Sequence, residues 1–184
     1  MTNLASTGLA LVGVQASDDV QTAGIPVDLA STTYRLLYRL ITGPLYAGDL
    51  LDISGDARVT NDCGYPGGTR YTIGVGWHLW AYSYTDPARS AGPWWRISQL
   101  MGDNVDATRH HMPLHISTLY RVPDDWPPGH RMAICLRADA HSTAWKSNGG
   151  NDVLTVDAGY GQLIVRRWAA APEPAPCLCA QPAA

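Results

Sequence analysis

The densest group of chemically versatile side chains is Arg109-His110-His111-Met112-Pro113-Leu114-His115. On an extended strand, side chains two and four apart share a face, so His111 and His115 would point the same way, with Pro113 and Ser117. Two imidazoles on one face can hold a transition metal if a carboxylate joins them from a neighbouring strand. That chemistry would make the His110–His115 cluster the centre of a metal-dependent enzyme. A close H-x-H pair with a following glutamate is missing, however, and Glu173 is the single glutamate of the chain. The plainer reading puts these histidines at a loop-to-strand edge, in an interface or in solvent. Paired carboxylates for acid–base work would be Asp103 with Asp106, or Asp124 with Asp125. Both pairs lie in turn-like segments, where Asp caps or forms Asx turns. A G-x-S-x-G nucleophile motif is absent. Gly74-x-Gly76 lies mid-strand and opens no helix, so it is no phosphate loop. Those glycines are expected to permit a bulge or the close approach of a neighbouring backbone. The sequence therefore assigns no catalytic residue, no cofactor and no metal.

The tryptophans offer different chemistry. Trp94 and Trp95 follow Gly92-Pro93, and Trp126 and Trp145 fall in expected loops. Exposed loop tryptophans can stack on sugar rings, which would make the chain a carbohydrate-binding module. The alternative is that they pack against the ends of the fold or against a neighbouring subunit. Of the cysteines, Cys135 falls in an apolar run and reads as a small buried hydrophobe. Cys177 and Cys179 form C-x-C in a Pro/Ala tail, whereas zinc motifs ordinarily use matched C-x2-C pairs, so their role stays open. Met1-Thr-Asn-Leu lacks a basic segment, and the apolar stretch Leu9 to Val14 is broken by Gly13. The N-terminus thus does not read as a secretory signal, and reduced thiols are expected.

These residues need elements to hold them. The chain has 184 residues and 19.9 kDa, enough for one domain with arms. With 46% apolar and 16% charged residues a sizeable core can form. A net charge of -3 disfavours binding to nucleic acid or a membrane surface by bulk charge. No window approaches the roughly 18 apolar residues of a membrane span. One lysine against twelve arginines, with no phenylalanine, is the signature of GC-rich coding. Seven Trp and nine Tyr suit strands and interfaces.

Two-residue alternation runs through the middle of the chain. Leu51, Ile53, Gly55, Ala57 and Val59 alternate with Asp52, Ser54, Asp56, Arg58 and Thr60, as a half-buried antiparallel strand requires. Tyr71 to Trp80, Trp95 to Met101, Met112 to Val122 and Met132 to Arg137 read as strands too, as do Val153 to Val156 and Gly161 to Trp168. Thr33 to Thr42 fits strand or helix, and its aromatic content favours strand. Gly/Pro/Asn/Asp-rich turns separate these runs. The expectation is an all-β, eight-stranded jelly-roll β-sandwich over residues 32–168. Residues 1–31 read as an extended N-terminal arm, and residues 169–184 as an extended or disordered Pro/Ala-rich tail.

Certain segments carry a resemblance: Leu37-Tyr-Arg-Leu-Ile-Thr, Gly48-Asp-Leu-Leu-Asp-Ile-Ser-Gly, the aromatic strand around Trp77, Pro127-Pro-Gly-His-Arg-Met-Ala-Ile-Cys-Leu and Gly159-Tyr-Gly-Gln-Leu-Ile-Val-Arg-Arg. In order and texture, residues 34–168 resemble compact jelly rolls of the tumour-necrosis-factor/C1q type. Stand-alone domains of this kind also resemble virion proteins of tailed bacteriophages that infect GC-rich bacteria. The resemblance implies a non-enzymatic capsid decoration or minor capsid protein, made in the bacterial host cytoplasm and carried in the virion. Its expected partners are copies of itself in a homotrimer and the major capsid protein or another virion protein. A host glycan is a further candidate partner, through a tail or fibre receptor-binding role. Neither nucleic acid nor membrane is expected to bind.

Overall fold

The computed structural model describes residues 9–17, 23–28, 34–61, 73–84, 95–105, 112–141, 153–157 and 159–170. They form ten strands: β1 (Leu9–Ser17), β2 (Ala23–Asp28), β3 (Arg35–Ile41), β4 (Leu50–Thr60), β5 (Ile73–Tyr84), β6 (Trp95–Val105), β7 (Met112–Arg121), β8 (Arg131–His141), β9 (Val153–Val156) and β10 (Gln162–Ala170). No described residue is helical, and no helix is long and apolar enough to cross a membrane. All eight expected strands are present, and the ambiguous run at β3 is a strand. Two further strands, β1 and β2, lie in the stretch read as an arm. Residues 171–184, with Cys177 and Cys179, lie outside the described residues, as does Cys63.

The strands make two sheets. In the first, β1, β10, β4 and β7 pair antiparallel in that order. β10 occupies one edge of β4 from Leu50 to Asp56, and β9 takes over the same edge at Val59 and Thr60. In the second sheet the order is β3, β8, β5, β6, again antiparallel. β2 belongs to both: Ala23 to Pro26 pair with β9, and Val27 and Asp28 run parallel to β8. The β3–β4 and β7–β8 connections are laced together by backbone bonds. Leu45 N–H donates to the His130 carbonyl (3.0 Å), Gly48 N–H to Val122 (3.0 Å) and Val122 N–H to Asp49 (2.8 Å). This is the jelly-roll β-sandwich expected from the rhythm.

The core lies between the sheets. Leu51, Ile53, Ala57 and Val59 of β4, with Leu163 and Val165 of β10, meet Trp77 and Leu79 of β5 and Ile134 and Leu136 of β8. Each large side chain so buried contributes about 1.5–3 kcal/mol. One buried charge closes the end of the sandwich. Asp49 is 5% exposed and accepts from Arg167 Nε (2.7 Å) and from Tyr46 N–H (2.9 Å). A buried carboxylate is tolerated only with such partners.

The outward side of the second sheet departs from simple alternation. Tyr82, Tyr84, Ala133 and Cys135 form a second buried apolar cluster there. β5 and β8 are therefore covered on both faces, whereas alternation alone implies one wet face. Burial pushes the Cys135 thiol up to about 11, although Arg137 and Arg39 pull it back in part. The nucleophilic thiolate is thus suppressed at neutral pH. In the native protein Cys135 is expected to resist iodoacetamide at pH 8 and to alkylate fully in denaturant, read by peptide mass mapping. Alkylation of the native chain at this peptide would contradict the burial.

The joint between β9 and β10 requires glycine at 161. A Cβ there would lie 2.6 Å from the Tyr38 hydroxyl and 2.9 Å from Ala57 Cα, and closer still to the Asp56 carbonyl. Gly161→Ala is expected to cost about 1–3 kcal/mol, read as a lower urea midpoint. Gly43→Ala, where nothing lies within 4 Å of the added carbon, should leave that midpoint unchanged.

Candidate functional site: a histidine–aspartate cleft and an apolar edge

Antiparallel pairing decides what stands on the outer face of the first sheet. β7 sets His115 opposite Asp56 and Pro113 opposite Arg58, and β10 sets Gln162 on the other side of Asp56. His115 Nδ1 lies 2.6 Å from Asp56 Oδ1, with the two side chains 58% and 39% exposed. Arg58 Nε donates to Asp157 Oδ2 at 2.7 Å, and Thr60 Oγ1 donates to the same carboxylate at 3.0 and 3.1 Å. Asp157 N–H in turn donates to the Arg58 carbonyl (2.9 Å). The Arg58 guanidinium lies 3.2 Å from the centre of the Tyr160 ring, and Tyr160 is 54% exposed. Between these groups, Leu114 and Gly159 is a cleft of about 630 Å³. Below it sits the Tyr38 phenol, held above its ordinary range first by burial and then by the Asp56 carboxylate.

This arrangement alters the metal reading. His111 lies outside the described residues, while His115 has found its carboxylate from a neighbouring strand. Among the described residues no three His, Cys, Asp or Glu side chains group to hold a metal ion. The His115–Asp56 pair orients an imidazole and leaves its Nε2 for hydrogen bonding. Asp124 is exposed in a turn, ion-paired with Arg121 at 3.7 Å, whereas Asp103, also expected in a turn, lies on β6.

The tryptophans separate. Trp94 and Trp145 lie outside the described residues. Trp126 is 8% exposed, and its Nε1 donates to the His130 carbonyl at 3.3 Å. Trp95 is half-buried and meets Trp126 edge to face at 6.3 Å between ring centres. Trp126 is packed into the end of the sandwich by the laced connections, so it offers no open ring face to a sugar.

Sequence reasoning missed a buried polar group on the second sheet. His78 Nε2 lies 3.4 Å from Asp139 Oδ2, with both side chains 3% exposed or less. Neither His78 ring nitrogen has a hydrogen-bond partner among the described residues, and the Tyr34 ring stands edge-on to the imidazole at 5.0 Å. A Cβ at Gly76 would strike the Asp139 carboxylate, and one at Gly74 the His141 ring. The pairing of β5 with β6 does shift register between Ile73 and Val75, so a bulge is present. What closes on the two glycines, however, is side chain and not backbone. The available signal was Gly74-x-Gly76-x-His78 itself, two missing side chains in line with a histidine.

The last feature is apolar. β1 is an edge strand that pairs with β10 alone among the described strands. Leu9, Leu11, Val12 and Val14 on it are 47% to 56% exposed. Opposite pairing aligns Val14, Arg166, Asp52 and the 67%-exposed Leu119 across the outer face. Leu11, Trp168 and Leu50 form the rung beyond. Arg166 Nη1 reaches Asp52 Oδ2 at 3.5 Å in the middle of this face.

Comparison with known proteins gives no family model and no curated protein that matches the chain. Solved structures do match. A chain in the structure of the infectious bursal disease virus Gx strain aligns with a TM-score of 0.51 at 12% identity, over 84% of this chain and 32% of that one. A chain of the Gt strain aligns with a TM-score of 0.51 at 9% identity, over 86% and 38%. The chain thus spans about a third of the longer chains it matches. The likeness is one of fold, and it places this β-sandwich beside those found in a virus structure.

Proposed function

We propose that the chain is a non-enzymatic structural protein of a virion, a capsid decoration or minor capsid protein that assembles as a homotrimer on a tailed-phage particle. The observation that carries this reading is the exposed apolar edge of the first sheet, Leu9, Leu11, Val12 and Val14 on β1, with exposed Leu119 on β7 beyond the Arg166–Asp52 pair. Apolar surface gains about 25 cal/mol per Å² when removed from water, and a contiguous patch marks a contact surface. An edge strand adds backbone donors and acceptors that a companion can satisfy. Arg166 and Asp52 supply both signs of charge within the patch, and a net charge of -3 opposes association little. The shared fold with chains from a virus structure supports the same reading. The partners are further copies of the chain and the major capsid protein or another virion protein. The site of action is the virion, after synthesis in the bacterial host cytoplasm.

The test is assembly. In solution the native mass by light scattering should be three times the 19.9-kDa chain mass, and the protein should co-sediment with empty shells. Leu11→Asp with Val14→Asp should reduce it to single-chain mass while the circular-dichroism spectrum stays that of the parent. A parent protein that runs as a single chain and leaves shells undecorated would defeat the proposal.

A further inference from the structure

The cleft at the Asp56–His115 rung has a chemistry of its own. Its polar groups already have partners: Arg58 is held by Asp157 at 2.7 Å, and His115 Nδ1 lies 2.6 Å from Asp56. Among the described residues a phosphate would find no uncommitted cation here, and a metal ion would find no third ligand. What remains is a set of planar polar groups and one aromatic ring. The Asp56 carboxylate accepts, the Gln162 amide both donates and accepts, and with Nδ1–H donated to Asp56 the neutral His115 ring presents Nε2 as an acceptor. Tyr160 has the Arg58 guanidinium across one face, which fixes the ring while more than half of the residue stays open to solvent. The volume, about 630 Å³, is that of a small-ligand site. Four of the five groups stand on paired strands, so the site is pre-formed and loses little freedom on binding.

We propose that this cleft binds a neutral carbohydrate. A sugar ring stacks its C–H face on Tyr160, and its hydroxyls are held by Asp56, His115 and Gln162. A neutral polyol fits because it needs paired donors and acceptors next to an apolar face and brings no charge to be compensated. The inference does not depend on the assembly reading, since the cleft lies farther along the sheet than the apolar rungs of β1.

The probes are maltotriose, cellotriose and chitotriose, tested with the full-length protein by saturation-transfer NMR and calorimetry. At least one trisaccharide should bind at millimolar concentration, and Tyr160→Ala should weaken it about tenfold or more. Gln162→Ala should weaken it too, whereas Trp126→Phe should not. The Leu11→Asp, Val14→Asp double variant should retain the affinity, which separates this site from assembly. Absence of saturation transfer from all three sugars, binding that survives Tyr160→Ala, or binding of inorganic phosphate in their place would overturn the proposal.

Discussion

β4 runs for eleven residues through the middle of a sheet, and both of its backbone edges need hydrogen-bond partners along that length. β7 serves one edge from Leu50 to Val59. The other edge is served by two strands laid end to end, β10 and then β9. Between them the chain must leave the sheet and return, and that joint shapes its surroundings. Gly161 lets the returning backbone press against Asp56 and Ala57, while Asp157 clamps Arg58 and Thr60. Tyr160 is left outside with a guanidinium on its face. The cleft is thus a by-product of satisfying one strand, set on the most heavily paired element of the first sheet.

The two sheets are covered differently. β5 and β8 bury both faces, down to an imidazole, a carboxylate and a thiol. His78 and Asp139 stand 3.4 Å apart with both side chains buried, so each is the other's polar neighbour on this face. Removing one partner would leave the other exposed to the full cost of burial. The first sheet instead keeps its outer face open, with polar rungs at one end and apolar rungs at the other. The cleft and the exposed apolar residues of β1 therefore share one face without sharing residues.

Much of the architecture was legible from the sequence. Alternation at Leu51 to Val59 reports a strand because side chains two apart must share an environment, and that is a local fact. β1 escaped this reasoning: Leu9, Leu11, Val12 and Val14 stay exposed at an edge, so its apolar residues follow no alternation imposed by a core. At Trp126 the residues left two readings open, a ring exposed to a sugar or one packed against the end of the fold. Its loop has the turn composition of a surface segment, yet backbone bonds to the β3–β4 connection fold it over the end of the sandwich.

Local alternation specified the eight strands from β3 to β10 and the turns between them, but not β1 or β2, because alternation reports only contacts between near neighbours. Long-range pairing brings His115 to Asp56, 59 residues away, Arg58 to Asp157, 99 away, and His78 to Asp139. Such pairs depend on cross-strand register, and a slip of one residue would turn each partner to the opposite face. Register is fixed when two sheets close over a common core, a condition that no short stretch of chain contains.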